Sequence, residues 1–244
     1  MKRNVIILTS GLSGSSVLTG LIARAGYWTG ESTFKKADYE TFENQEVIDL
    51  NSKLFREAGY QGNYLLEYSP EAIRNVEELY GRIDCTPYRA LIERCNQHQP
   101  WIWKDPRLWL TIRFWKHLLD LDSCCFIILS RGLMQSWISS LLRRQITTYR
   151  YAKAYETKIV DSAAGFVQET GGPYLRLTYE GLIERPAETL ESLNRFLGSN
   201  LSVADLQQTY HKPLYKSPRS SFAKHMKAMM IYAKNYSERL DIAG

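Results

Sequence analysis

The sequence is poor in the residues from which metal centres and covalent cross-links are built. It has four histidines and four cysteines, Cys85, Cys95, Cys124 and Cys125, with no CxxC pair among them. Neither a disulfide framework nor a zinc site is expected, and free thiols suit a reducing, cytoplasmic setting. Long apolar runs are missing too. The run Val5–Leu8 stops at Thr9-Ser10-Gly11, short of the roughly 7–15 residues of a secretory core. No stretch approaches the ~18 apolar residues of a membrane span. The chain is therefore expected to be soluble and unprocessed, without stable membrane insertion. Glycine (15) and proline (8) are too few for a collagen-like or largely disordered chain of 244 residues. An excess of only 5 positive charges suits an anionic small molecule. It falls short of a dedicated nucleic-acid binder, and no nucleic-acid partner is expected.

What is present is enough apolar material, 44% of residues, for one sizeable core. Val5-Ile6-Ile7-Leu8 reads as a strand buried on both faces, followed by the small polar loop Thr9–Ser16 and by a helix carrying Val17, Leu18, Leu21, Ile22 and Ala25. Helical spacing recurs at Val47–Phe55, Ile73–Tyr80 and Leu91–Cys95. Trp101-Ile102-Trp103 is a short strand, and a helix with Leu108, Ile112 and Trp115 follows it. A second buried strand, Cys124–Leu129, runs into Ser130-Arg131-Gly132 and a helix with Leu133, Trp137 and Leu141, which we extend through Arg143-Arg144. Tyr174–Tyr179 is a third strand, and Pro186 to Gly198 bound a further helix. Strands alternating with helices predict a single α/β domain over 1–244, a parallel sheet flanked by helices, with a helical insert around 30–100.

Two segments stand out chemically. The loop Ser10, Gly11, Leu12, Ser13, Gly14, Ser15, Ser16 joins a strand to a helix, so small residues, hydroxyls and a helix N-terminus meet there. That combination suits an anion, although an ordinary tight turn has the same composition. It does not meet GxxxxGK[ST], because no lysine occupies the nucleotide-triphosphate position, which argues against an ATP- and magnesium-using kinase. Arg131 closes a buried strand, and Ser139 lies one to two helical turns on. In open α/β sheets ligands bind at the carboxyl ends of strands, where an arginine can clamp a phosphate. A solvated helix start would look similar.

Taken together, these segments resemble the sulfotransferases that use 3′-phosphoadenosine 5′-phosphosulfate (PAPS), particularly a bacterial branch. Thr9–Leu18 is similar to the loop that holds the donor's 5′-phosphosulfate, and Arg131 with Ser139 to the pair that holds its 3′-phosphate. Phe42-Glu43-Asn44, Trp103-Lys104-Asp105-Pro106-Arg107 and Leu177-Thr178-Tyr179-Glu180-Gly181-Leu182 resemble further segments in the same order. The resemblance implies a P-loop nucleotide-kinase-like fold and transfer of a sulfuryl group from PAPS to a hydroxyl or amine acceptor, leaving 3′,5′-bisphosphoadenosine (PAP). No metal is implied. A small-molecule, carbohydrate or lipid acceptor is implied, shaped by the insert at 30–100; its identity and the oligomeric state are left open.

One departure qualifies this. The family places lysine or arginine just before the Ser-Gly of the first loop, and here that residue is Leu12. Losing a cation at developing charge costs about 3–4 kcal/mol, by analogy with removal of an oxyanion-hole donor. Lys104 is the expected replacement, with Arg107 behind it. Otherwise the chain binds nucleotide without efficient transfer. The base for the acceptor proton is expected to be Glu31, then Glu43, then Asp105. A basic C-terminal segment with His211, Lys212, Lys216 and Arg219 either folds over the 3′-phosphate or is a solvated tail. The basic stretch Arg143, Arg144, Arg150 and Lys153 reads chiefly as a solvated helix face.

Overall fold

The structure, a computed structural model, describes residues 2–36, 39–209 and 222–241. Strand β1 (Asn4–Thr9) is buried along its whole length. It leads into helix α1 (Ser15–Arg24). Next come the antiparallel strands β2 (Thr33–Lys35) and β3 (Glu40–Asn44), then α2 (Gln45–Glu57), α3 (Pro70–Glu77) and α4 (Thr86–Gln97). The insert therefore opens with a hairpin rather than a helix. The alternating Thr41, Phe42 and Glu43 favour a strand, and Phe42 packs against Gly20 of α1, where a Cβ would lie 2.6 Å from its ring.

Strand β4 (Ile102–Lys104), helix α5 (Leu108–Trp115) and strand β5 (Cys124–Ser130) follow. Helix α6 (Leu133–Leu141) ends before Arg143-Arg144, so those arginines leave the helix rather than continue it. Arg144 takes a left-handed φ of 59°, and Ile146 is buried, which turns the chain into α7 (Tyr149–Thr170), capped by Thr148. Strand β6 (Tyr174–Thr178), α8 (Tyr179–Glu184), α9 (Pro186–Leu197), α10 (Val203–Thr209) and α11 (Phe222–Lys234) complete the described elements. Pro186 opens α9, and Gly198, at φ 61°, closes it.

The sheet has the order β4-β1-β5-β6 with every neighbour parallel. Its strands are apolar at successive positions because both faces are covered. Ile6, Leu8, Trp103, Phe126 and Ile128 enter one core with α2–α5 and α7. Val5, Ile7, Ile102, Ile127 and Leu129 enter another with α1 and α8–α10. Each such side chain contributes about 1.5–3 kcal/mol by leaving water. The four tryptophans of the 101–115 region are 0–1% exposed and belong to the first core. No helix among the described residues is long and apolar enough to cross a membrane. Since β1 has β4 on one side and β5 on the other, the chain reverses direction across the sheet at the carboxyl end of β1. A crevice opens at such a point.

Candidate active site

That crevice is a cavity of about 370 Å³. One half is built from the β1–α1 loop and the end of β5. Gly11, Leu12, Gly14, Ser15 and Ser16 line it together with Arg131, Ser139, Arg143 and Tyr179. The first turn of α1 has no acidic residue, and Gly14 precedes it at φ 81°. A helix start without a carboxylate presents its partial positive charge to the cavity. Gly14 cannot be replaced cheaply, since a Cβ would fall 2.1 Å from the ring of Tyr179. Arg131 lies over the same ring, its guanidinium 4.9 Å from the centroid.

Arg131 reaches the loop itself. Its Nη1 donates to the Leu12 carbonyl at 3.0 Å and to Ser139 Oγ at 3.4 Å. Its Nε is buried and without a hydrogen-bond partner. Burial pushes the guanidinium pKa below its ordinary value, despite attraction to Tyr179 and Glu180. A desolvated cation with an unused donor is well suited to a phosphate. The two segments singled out by sequence are thus brought together, and their donors suit an anionic group.

Not every loop residue faces the cavity. Ser10 and Ser13 are 3% and 1% exposed. Ser13 Oγ is 2.5 Å from Thr9 Oγ1, and Ser10 Oγ donates to Glu156 Oε2 at 2.7 Å. These hydroxyls hold the loop's shape, leaving Gly11, Leu12, Gly14, Ser15 and Ser16 as its cavity-facing part.

The second half of the cavity comes from the hairpin, α2 and the segment after β4, with Phe34, Tyr39, Glu43, Ile48, Tyr64 and Arg107 along its wall. Aromatic and aliphatic side chains alternate there with polar ones, Lys36, Thr41 and Gln45 among them. Lys104 lies just beneath, 1% exposed. Its Nζ donates to Glu43 Oε1 at 2.5 Å and to Ser16 Oγ at 3.3 Å. Burial lowers its pKa, and Glu43 opposes that shift. Lys104 does not itself line the cavity; it touches two residues that do.

Asp105 is fully buried. Its Oδ1 accepts from the backbone and side chain of Arg107, both at 2.9 Å, and its Oδ2 accepts from Asn51, whose own oxygen takes the Trp115 indole N–H. Both oxygens are engaged, so Asp105 orients Arg107 and stacks it over Tyr64, 4.6 Å from the ring centroid. Burial disfavours the Arg107 charge, but Asp105, Tyr64 and Glu43 together more than offset it and raise the pKa. Glu31 is exposed in the turn before β2 and lies outside the cavity lining. Of the three carboxylates considered, Glu43 is the one on the cavity wall. His211, Lys212, Lys216 and Arg219 lie outside the described residues. Tyr179 and Glu156 also contribute: the segment of Tyr179 stands out in the sequence only by its resemblance, and no motif marks Glu156.

Against proteins already known, no family model matches the sequence, and no curated protein matches it. Among solved structures it is similar to the sulfotransferase domain of the olefin synthase from Synechococcus PCC 7002, at 20% identity and a TM-score of 0.54, covering 100% of this chain and 98% of that one. It is also similar to the sulfotransferase domain from the curacin biosynthetic pathway, at 19% identity and a TM-score of 0.50, covering 100% and 93%. The chain shares the fold of these domains. The sulfotransferase resemblance read from its motifs is upheld at the level of the fold.

Proposed function

We propose that this protein is a PAPS-dependent sulfotransferase acting on a hydroxyl or amine of a small-molecule, carbohydrate or lipid acceptor. The observation that carries the reading is the meeting of Arg131 with the β1–α1 loop, 3.0 Å from Leu12 O and 3.4 Å from Ser139 Oγ, at the carboxyl ends of the central strands. The fold shared with two sulfotransferase domains supports it. Gly11, Leu12, Gly14, Ser15 and Ser16 would hold the 5′-phosphosulfate, and Arg131 with Ser139 the 3′-phosphate. When bound, the donor supplies an activated sulfuryl group.

Glu43 takes the acceptor's proton as the new bond from acceptor to sulfur forms and the bond from sulfur to the bridging oxygen breaks. That electron pair stays on the phosphate oxygen of departing PAP. Lys104, acting beside Ser16, supplies positive charge near the start of α1 and stands in for the basic residue that Leu12 replaces. Phe34, Tyr39 and Tyr64 would offer the acceptor aromatic surface on this side.

The test is calorimetry with PAP, followed by transfer of labelled sulfuryl from PAPS to an acceptor panel. Micromolar or tighter PAP binding and label transfer are expected. Absence of PAP binding would overturn the reading. A second reading, a nucleotide-binding module without transfer, is favoured by Leu12 and by the engagement of Lys104 with Glu43. Tight PAP binding without label transfer to any acceptor would select it.

A further inference from the structure

The β1–α1 loop is held in an unfavourable shape. Leu12 has a left-handed φ of 70°, a conformation that non-glycine residues keep only where their surroundings over-determine it. Gly11 and Leu12 line the main cavity. They also line a second, smaller space of about 30 Å³, bounded by Ser136, Tyr155 and Glu156. Contacts around the loop must hold that conformation. Arg131 does so from one side, through the Leu12 carbonyl.

From the other side stands Glu156 of α7. Its Oε2 accepts from Ser10 Oγ at 2.7 Å and its Oε1 from Ser136 Oγ of α6 at 2.9 Å. Both serines are nearly inaccessible, at 3% and 5% exposure. Among the described residues no lysine or arginine forms an ion pair with this carboxylate. Burial raises its pKa, while the two hydroxyls and the more distant Arg131 oppose that shift. A carboxylate placed behind an anion-binding loop repels the anion. Its position is intelligible if its work is done on the loop.

We propose that Glu156 is a positioning residue, fixing the β1–α1 loop through Ser10 and Ser136 in the shape that receives the donor's 5′ anion. The anion part rests on the sulfotransferase reading; the pinning of the loop does not.

Hydrogen exchange on the ligand-free protein tests the pin directly. Glu156→Ala should speed exchange about tenfold or more at the Val17 amide, which donates to the Gly14 carbonyl at the end of the loop at 3.0 Å, with β1 and β5 unchanged, as expected for local opening. Glu156→Gln, which offers one serine an acceptor and the other a donor, should restore exchange to within about threefold of wild type. Ser10→Ala alone should reproduce most of the loosening, so the proposal stays testable if Glu156→Ala fails to fold. PAP affinity should fall about tenfold in Glu156→Ala and no further in the double variant with Ser10→Ala, because the two share one interaction. Unchanged exchange at Val17 in folded Glu156→Ala or Ser10→Ala would overturn the proposal, as would additive losses in the double variant. If wild type binds no PAP, the donor reading fails while the exchange result still decides the pin.

Discussion

The groove at the amino ends of β1, β5 and β6 measures about 790 Å³, against about 370 Å³ for the cavity at the carboxyl end of the sheet. It also has cations: Lys2, Arg3 and Arg195. Yet Lys2 and Arg3 are exposed and donate to carbonyls of Ala25 and Asp122, and Arg195, with its side chain 75% exposed, pairs with Glu191 of its own helix. Cys125 in its lining is buried, and burial pushes its thiol pKa up to about 12, so no thiolate forms there near neutrality. The carboxyl end of α9, at Leu197 and Gly198, borders this groove and contributes partial negative charge. At the opposite end, the start of α1, a desolvated arginine and a buried lysine–glutamate pair come from separate elements to one place. Convergence of constrained polar groups marks a site better than volume does.

Four perturbations break or sharpen that contrast. The largest effect is expected from Glu43→Gln, which should lower turnover by about 10²–10⁴-fold with PAP affinity nearly unchanged. A lower melting temperature should accompany it, because Lys104 loses its counter-charge. An equal loss in Glu31→Gln would move the base to the exposed turn. Next, Arg131→Ala should weaken PAP binding by about 10–100-fold, the worth of a charge-assisted hydrogen bond, as read by calorimetry.

The third concerns Glu156. Its pKa is raised above the ordinary 4.5, so between 4.5 and the raised value the folded state holds this proton more tightly than the unfolded one. Stability from this group is then fully present below 4.5 and falls as pH rises through that window. Melting curves of Glu156→Gln against wild type should show that slope removed; parallel pH profiles would contradict it. The smallest effect is expected at the amino-end groove. Lys2→Ala with Arg195→Ala should leave PAP affinity within about twofold and stability within about 0.5 kcal/mol.

How much of this was legible beforehand varies by region. β1 and β5 are readable because burial on both faces gives unbroken apolar runs, and Pro186 and Gly198 bound α9 where backbone chemistry says they should. Arg131 and Ser139 are readable from a strand end and a helical spacing. The hairpin of β2 and β3 is not, because so few residues give no clear period beside a helical region. Lys104 and Glu43 could each be named, but their pairing across 61 positions is a product of packing. Glu156 is invisible in sequence. It sits on the 22-residue helix α7 among charged neighbours such as Lys153, Lys158 and Asp161, and reads as a solvated glutamate until α6 and the loop close over it.

The most direct measurement is a crystal structure of the protein with PAP. The account predicts the 5′-phosphate against Gly11–Ser16 and the 3′-phosphate within hydrogen-bond reach of Arg131 and Ser139. A nucleotide seated in the amino-end groove, or one whose phosphates both avoid Arg131, would contradict it.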